Sequence, residues 1–210
     1  MPSTPRSEVL FIGGRSGVGK STAAEALHDL LVAADVRHAV IEGDLLDLAH
    51  PAPHVEHPEA RLAERNLAAL WTSYRELGHH RLVYTNTVSV LEHERLAAAM
   101  GDDPVVTTVL LRAADGPTAE RLARRSGGEV PQAQLAHSTR TAGRLDSASG
   151  DTVTRVDTDG RTPTQVAQRL AALTGWLPAD RPAAACGLRD PSTDRVRRWP
   201  AQSPRGTLEP

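Results

Sequence analysis

The chain has 210 residues, 40% hydrophobic and 24% charged, with a formal net charge of −2 at pH 7. Such a chain is long enough to bury the core of one globular domain, and its near-neutral balance argues against adhesion to nucleic acid or an anionic membrane through bulk charge. Cys186 is the only cysteine, which excludes an internal disulfide. No stretch reaches the ~20 apolar residues of a membrane span, the N-terminal apolar run is too short for a secretory signal, and the expected location is the cytoplasm.

Residues 8–12, EVLFI, are a short apolar run ending in glycines and predict a buried strand. From Lys20 onward, Ala23, Ala26, Leu27, Leu30, Leu31 and Ala34 recur at spacings of three and four, one apolar face of a helix. RHAVI at 37–41 predicts a second strand, closed by Glu42-Gly43-Asp44. A loop rich in proline and histidine, HPAPHVEHP, leads to a long helix that Pro58 opens and Gly78 ends. Its apolar stripe is Ala63, Leu67, Leu70, Trp71, Tyr74 and Leu77. RLVYT at 81–85 and VVTTVLL at 105–111 read as the third and fourth strands, with a short helix over 90–100 between them. Helices are expected over 118–125, where Ser126-Gly127-Gly128 breaks the pattern, and over 131–145. A fifth strand at 152–157 precedes a last helix at 162–173, ended by Gly175.

Strands that alternate with helices, and are mostly apolar rather than alternating within themselves, indicate a parallel sheet covered on both faces. Right-handed crossovers then make the α/β class a three-layer α/β/α sandwich around a five-stranded parallel sheet. After Trp176 the composition turns to Pro, Arg and small residues. The expected division is an α/β domain at 1–176 and a Pro/Arg-rich tail at 177–210, largely disordered.

Between the first strand and the first helix stands Gly14-Arg15-Ser16-Gly17-Val18-Gly19-Lys20-Ser21, which fits G-x-x-x-x-G-K-[ST] at every fixed position. Triphosphate oxygens need several converging backbone N–H groups, and a glycine-rich turn lets the backbone come that close. The helix that follows directs its positive end at the phosphates. Lys20 is the only lysine in a chain that uses arginine at every other basic position. A compact ammonium on a flexible stem reaches the β- and γ-phosphates, where a planar guanidinium fork does not substitute well. Ser21 is placed to ligate Mg²⁺. The nucleotide-binding residues expected are therefore Gly14, Arg15, Ser16, Gly17, Val18, Gly19, Lys20, Ser21 and Thr22. The rival dinucleotide fingerprint G-x-G-x-x-G fails, because Gly17-Val18-Gly19 is followed by Lys20-Ser21-Thr22 with no third glycine in place.

This pattern, over about residues 8–175, resembles the P-loop NTPases. The IEGD stretch ending at Asp44 is especially similar to adenylyl-sulfate kinases, and more loosely to antibiotic-phosphorylating and shikimate-type kinases. The resemblance implies that Asp44 binds or activates the acceptor, or holds Mg²⁺ together with Ser21; a helix-capping role is the plainer alternative. TAERLARRSGG after the fourth strand resembles the short arginine lid of adenylate-kinase-like enzymes, which would make Arg121 and Arg125 catalytic together with Lys20 and Asp44, with Arg124 able to trade roles with Arg125. A solvated arginine face is the alternative. Asp157-Thr158-Asp159-Gly160 would contact the nucleotide base or serve as a plain turn. The third strand ends in Thr85-Asn86-Thr87 and lacks a Walker-B carboxylate; Asp44 would compensate, and Asn86 would contact the acceptor or the γ-phosphate.

The implied activity is an ATP- and Mg²⁺-dependent phosphotransferase acting on a small-molecule hydroxyl acceptor. The alternative is a nucleotide-binding regulatory ATPase that works through a protein partner. A GTPase needs N-K-x-D, which a chain whose one lysine is Lys20 does not contain. Arg61, Arg65 and Thr72 lie opposite the apolar stripe and would bind an anionic acceptor or simply meet solvent. His50, His54 and His57 make only a weak zinc pattern.

Overall fold

In the computed structural model, which describes residues 5–177, five strands form one wholly parallel sheet. They are β1 (Glu8–Gly13), β2 (Ala39–Glu42), β3 (Arg81–Thr85), β4 (Val105–Arg112) and β5 (Thr154–Asp157), in the spatial order β2-β3-β1-β4-β5. The helices are α1 (Lys20–Ala33), the single turn α2 (Pro53–Glu56), α3 (Leu62–Glu76), α4 (Ser89–Met100), α5 (Asp115–Ser126), α6 (Gln132–Ala148) and α7 (Pro163–Thr174). The expected three-layer α/β/α sandwich is the observed fold.

The alternation of side chains along each strand sorts the two cores. Leu10, Ile12, Val83, Val109, Leu111 and Val156 point to one face and pack on Leu27 and Leu31 of α1 and on Val166 and Leu170 of α7. Val9, Phe11, Ala39, Ile41, Leu82 and Tyr84 point to the other, against Leu67 and Trp71 of α3 and Leu96 of α4. Leu145 of α6 joins Val90 and Leu110 on that second side. Because β1 is central, with β3 on one side and β4 on the other, the chain leaves β1 at the point where the strand order reverses. In open parallel sheets the crevice at that point, at the strands' C-terminal ends, takes ligands. The loop after β1 opens into it.

Local chemistry explains the element ends. α7 starts with a reciprocal cap. The Thr162 hydroxyl accepts from the Gln165 N–H at 3.2 Å, and Gln165 Oε1 accepts from the Thr162 N–H at 2.9 Å. α1 differs. Its N-cap is Gly19, no side chain caps it, and its first turn carries no acidic residue. The free N–H groups of that turn face the loop.

Several boundaries depart from the sequence reading. Pro58 opens a 3₁₀ turn (Pro58–Ala60) rather than α3. Arg61, with φ 44°, reverses the chain, and α3 begins only at Leu62. Leu70 and Leu77 lie exposed, since the sheet is covered by the narrower stripe of Leu67 and Trp71. Val105 and Val106 are exposed because β4 extends beyond the cover of the helices at its start. β2 begins at Ala39 and ends at Glu42, later than RHAVI implies, and α5 begins earlier, at Asp115. The tail expected from residue 177 lies, from 178 on, outside the described residues.

Beneath the sheet's opposite end, His28 Nδ1 and His38 Nε2 are 2.8 Å apart, and His38 Nδ1 donates to the Val36 carbonyl at 2.7 Å. Burial holds the His38 ring below its ordinary pKa of 6.5, and the His28, His79 and Arg81 charges act the same way. The unfolded ring therefore takes up a proton at higher pH than the folded one. Stability is complete above about pH 6.5 and drains away as pH falls below it towards the folded ring's lower value. Urea unfolding at pH 7.5 and 5.5 should show a lower midpoint at pH 5.5, and His38→Gln should shrink that difference.

Candidate functional site

The glycine-rich loop runs through positive φ at Gly14 (145°), Gly17 (82°) and Gly19 (100°). At Gly17 a second constraint acts. A Cβ there would lie 2.8 Å from the Leu122 side chain and 2.9 Å from that of Thr118, so the loop touches α5 directly. Lys20, only 9% exposed, folds back over this loop. Its Nζ donates to the Gly14 carbonyl at 2.9 Å and to Thr87 Oγ1 at 3.4 Å. Burial lowers its pKa from the usual 10.5; Asp44 and Glu42 oppose that shift, and Arg125 adds to it. An ammonium held by one loop carbonyl and one hydroxyl can exchange these neutral partners for anionic oxygens.

Asp44 stands on the neighbouring turn, a 3₁₀ segment (Gly43–Leu45) that continues β2. Its Oδ1 accepts from the Thr87 N–H at 3.1 Å. The Thr87 carbonyl in turn accepts from the Gly14 N–H at 3.1 Å. Thr87 thus joins the carboxylate, the loop and the lysine through three of its own atoms. The glycine of IEGD has a packing reason: a Cβ on Gly43 would sit 2.2 Å from the Tyr84 ring, which lies directly under the turn. Burial, first, and the surrounding carboxylates, second, keep that phenol protonated well above its usual range.

Asn86 turns inward on itself. Its Oδ1 accepts from the Val88 N–H at 2.8 Å and shapes the turn into α4. Glu42 is a residue that the sequence reading missed. Ala39 and Ile41 point to the α3/α4 face and Val40 to the α1 face, so Glu42 falls on the same side as Lys20, whose charge it stabilises. The signal was present as two carboxylates spaced by one glycine at a strand end, but only the tertiary structure brings Glu42 within electrostatic reach of Lys20.

On the far side of the loop a cleft of about 540 Å³ is lined by Val18, Gly19, Thr22, Arg121, Arg124, Thr158 and Arg161, among others. Thr158, which is buried, ties its wall together: its hydroxyl donates to the Val18 carbonyl at 3.2 Å and accepts from Arg121 Nη1 at 3.2 Å. Arg121 Nη2 also lies 3.8 Å from Asp159. Of the arginines expected to act together, Arg121 lines this cleft with Arg124, and the Arg125 charge acts on Lys20. Within the loop, Val18 is buried, Ser16, Ser21 and Thr22 are exposed, and the Arg15 side chain turns away into the protein.

Among the described residues no group of three or more His, Cys, Asp or Glu is arranged to hold a metal ion. The donors near Lys20 suit a different kind of ion. They are the Ser21 hydroxyl, the Glu42 and Asp44 carboxylates, and the buried Thr85 hydroxyl, which has no protein partner. A magnesium ion that takes most of its ligands from phosphate and water fits such a sparse set. Beyond the Asp44 turn, His54, His57, Asp47, Arg61, Glu64 and Arg95 border a recess of about 210 Å³. Arg95 there is already paired with Glu64 (3.1 Å) and Glu92 (2.8 Å). Thr72 is spent on the Ala68 carbonyl at 2.8 Å, and Arg65 is exposed.

The fold is one that solved small-molecule kinases share. Among solved structures, the chain is similar to a tunicamycin resistance protein of Deinococcus radiodurans, with 28% identity and a TM-score of 0.56 over 82% of this chain and 98% of that one. It also shares its fold with a gluconokinase of Sinorhizobium meliloti (21% identity, TM-score 0.54, 82% of this chain and 93% of that one). A Mycobacterium tuberculosis APS kinase, solved with AMPPNP and APS, is a third (22%, 0.50, 80% and 98%). No family model and no curated protein matches the sequence.

The Gly43–Tyr84 contact makes a direct prediction. Gly43→Ala must push the Asp44 turn off the ring, an overpacking cost of about 1–3 kcal/mol. Thermal unfolding should show a Tm several degrees lower, whereas Gly116→Ala, where a Cβ meets open space, should leave Tm within about 1 °C of wild type.

Proposed function

We propose that the protein is a kinase that moves the γ-phosphoryl group of Mg·ATP to a hydroxyl of a small molecule. The observation that carries this reading is the linkage of Lys20 and Asp44 through Thr87 at the mouth of the glycine loop, an ammonium at the start of α1 and a carboxylate on the turn after β2. On this reading the loop N–H groups from Gly14 to Thr22 and the uncapped start of α1 hold the phosphates. The base occupies the cleft beside Thr158, between Arg121 and Arg161.

Lys20 leaves the Gly14 carbonyl for the β- and γ-phosphates, and Arg125 adds positive charge on the same side. Asp44, freely exposed above the loop, receives the acceptor's hydroxyl proton. The acceptor oxygen forms its bond to the γ-phosphorus as the bond to the β–γ bridging oxygen breaks, and ADP leaves. Ser21, with Glu42 and Asp44 through water, would hold Mg²⁺, which supplies charge neutralisation on the phosphate oxygens. Glu42 and Asp44 on one side and the arginines on the other leave the phosphate position between opposite fields, so that charge moving onto the bridging oxygen meets fixed cations.

The likeness to the tunicamycin resistance protein favours an antibiotic-type acceptor, and tunicamycin heads the panel to be tested. ADP release from Mg·ATP is measured with tunicamycin, gluconate, shikimate, adenylyl sulfate, nucleosides and aminoglycosides. One acceptor should raise ADP production well above the acceptor-free rate. Lys20→Ala should lower that stimulated rate by about 10²–10³ and Asp44→Asn by about 10²–10⁴, with nucleotide binding kept in Asp44→Asn. Tight Mg·ATP binding without stimulation by any acceptor would favour a regulatory ATPase instead.

A further inference from the structure

The kinase reading needs arginines of α5 near the phosphates, and a lid would bring them there by closing. We infer that in this protein they are fixed in advance. Arg15 is a positioning residue, and its guanidinium bolts the phosphate loop and the arginine-bearing helix α5 into one unit.

Arg15 occupies the first variable position of the loop, yet it is only 3% exposed. Its Nη2 donates to the Ala113 carbonyl at 2.9 Å and to Thr118 Oγ1 at 2.9 Å, and its Nη1 bonds to Asp115. Three acceptors on one turn of chain, from the end of β4 into α5, meet one planar fork. A lysine offers a single point charge and does not span them. Burying a guanidinium is costly, and here Nε is left without any partner. Surface charge or solubility gives no reason to accept that cost; a fixed relation between two segments does.

The neighbouring residues repeat the attachment. Ser138 of α6 donates to the Ser16 carbonyl at 3.3 Å, and Thr118 and Leu122 of α5 press on Gly17. Thr139 of α6 donates to the Asp115 carboxylate at 3.1 Å, so α6 braces the same anion that holds Arg15. Arg15, Ser16 and Gly17 are thus fastened to α5 and α6 in succession. Thr118 lies one helical turn before Arg121 and two before Arg125. Whatever sets Thr118 sets those arginines relative to the loop.

This inference rests on the kinase reading for its effect on nucleotide affinity, but the mechanical part stands without it. The test uses the full-length protein with Arg15→Met, Arg15→Lys, Asp115→Asn and the Arg15→Met/Asp115→Asn double variant. Hydrogen exchange of α5 and α7 amides is followed without nucleotide, and Mg·ATP binding is followed by calorimetry. Arg15→Met should speed exchange across α5 while leaving α7 unchanged, and should weaken Mg·ATP binding roughly tenfold. Arg15→Lys should behave like Arg15→Met. Asp115→Asn, which touches no nucleotide on either reading, should give the same pattern at smaller amplitude and add nothing in the Arg15→Met background. Unchanged α5 exchange in both single variants overturns the inference. So does wild-type Mg·ATP affinity in Asp115→Asn beside a loss in Arg15→Met, which would place Arg15 on the nucleotide itself. If Arg15→Met does not fold, Asp115→Asn and Thr118→Val decide by the same exchange measurement. Absence of Mg·ATP binding in the wild type would defeat the kinase reading, whereas the α5 exchange pattern would still settle the clamp.

Discussion

A single buried ammonium organises the upper end of this sheet. Lys20 reaches back over its own loop to the Gly14 carbonyl and across to Thr87, and the same Thr87 holds Asp44. Burial works against the charge, and two carboxylates work for it. Such a balance holds only while the loop, the β3 end and the β2 turn keep their relative places. The rest of the architecture serves that need. Parallel strands β1, β2 and β3 run in fixed register, and Tyr84 lies as a flat floor beneath Gly43.

The loop is held as firmly from the opposite side. Thr158 fastens the Val18 carbonyl, and Arg15 fastens the loop to the start of α5. The helix expected to carry a lid is therefore anchored over its first half, with Thr118 and Leu122 buried. Arg121 and Arg124 line the cleft, and the Arg125 charge is felt at Lys20; all three stand on the helix that is anchored to the loop. Preorganisation of this kind avoids the cost of ordering cations at the moment of reaction.

The segment after the Asp44 turn is built differently. Between that turn and Leu62 the chain makes only single helical turns, reverses at Arg61 and leaves Leu45, Leu48 and Val55 exposed. A segment with so few buried contacts is the part of such a frame that tolerates change. The Arg95–Glu64 pair gives the recess there charges of both signs, whereas the charged residues lining the cleft beside Thr158 are arginines.

Local patterns of residues determined much of this protein. The five strands, the parallel sheet and the phosphate loop were all legible, because apolar runs, helical spacing and G-x-x-x-x-G-K-S are signals carried by neighbours in the chain. Element ends were less so: a left-handed Arg61 and the exposed first residues of β4 depend on which surfaces neighbouring elements cover. Tertiary structure alone decided which way side chains face across the crevice. That Glu42 sides with Lys20, that Thr87 ties Asp44 to Gly14, and that Arg15 points into the protein instead of at the loop's mouth are relations between segments distant in the chain. Spacing along the sequence carries no information about such relations, since they arise only when the sheet's register and pleat bring the segments together.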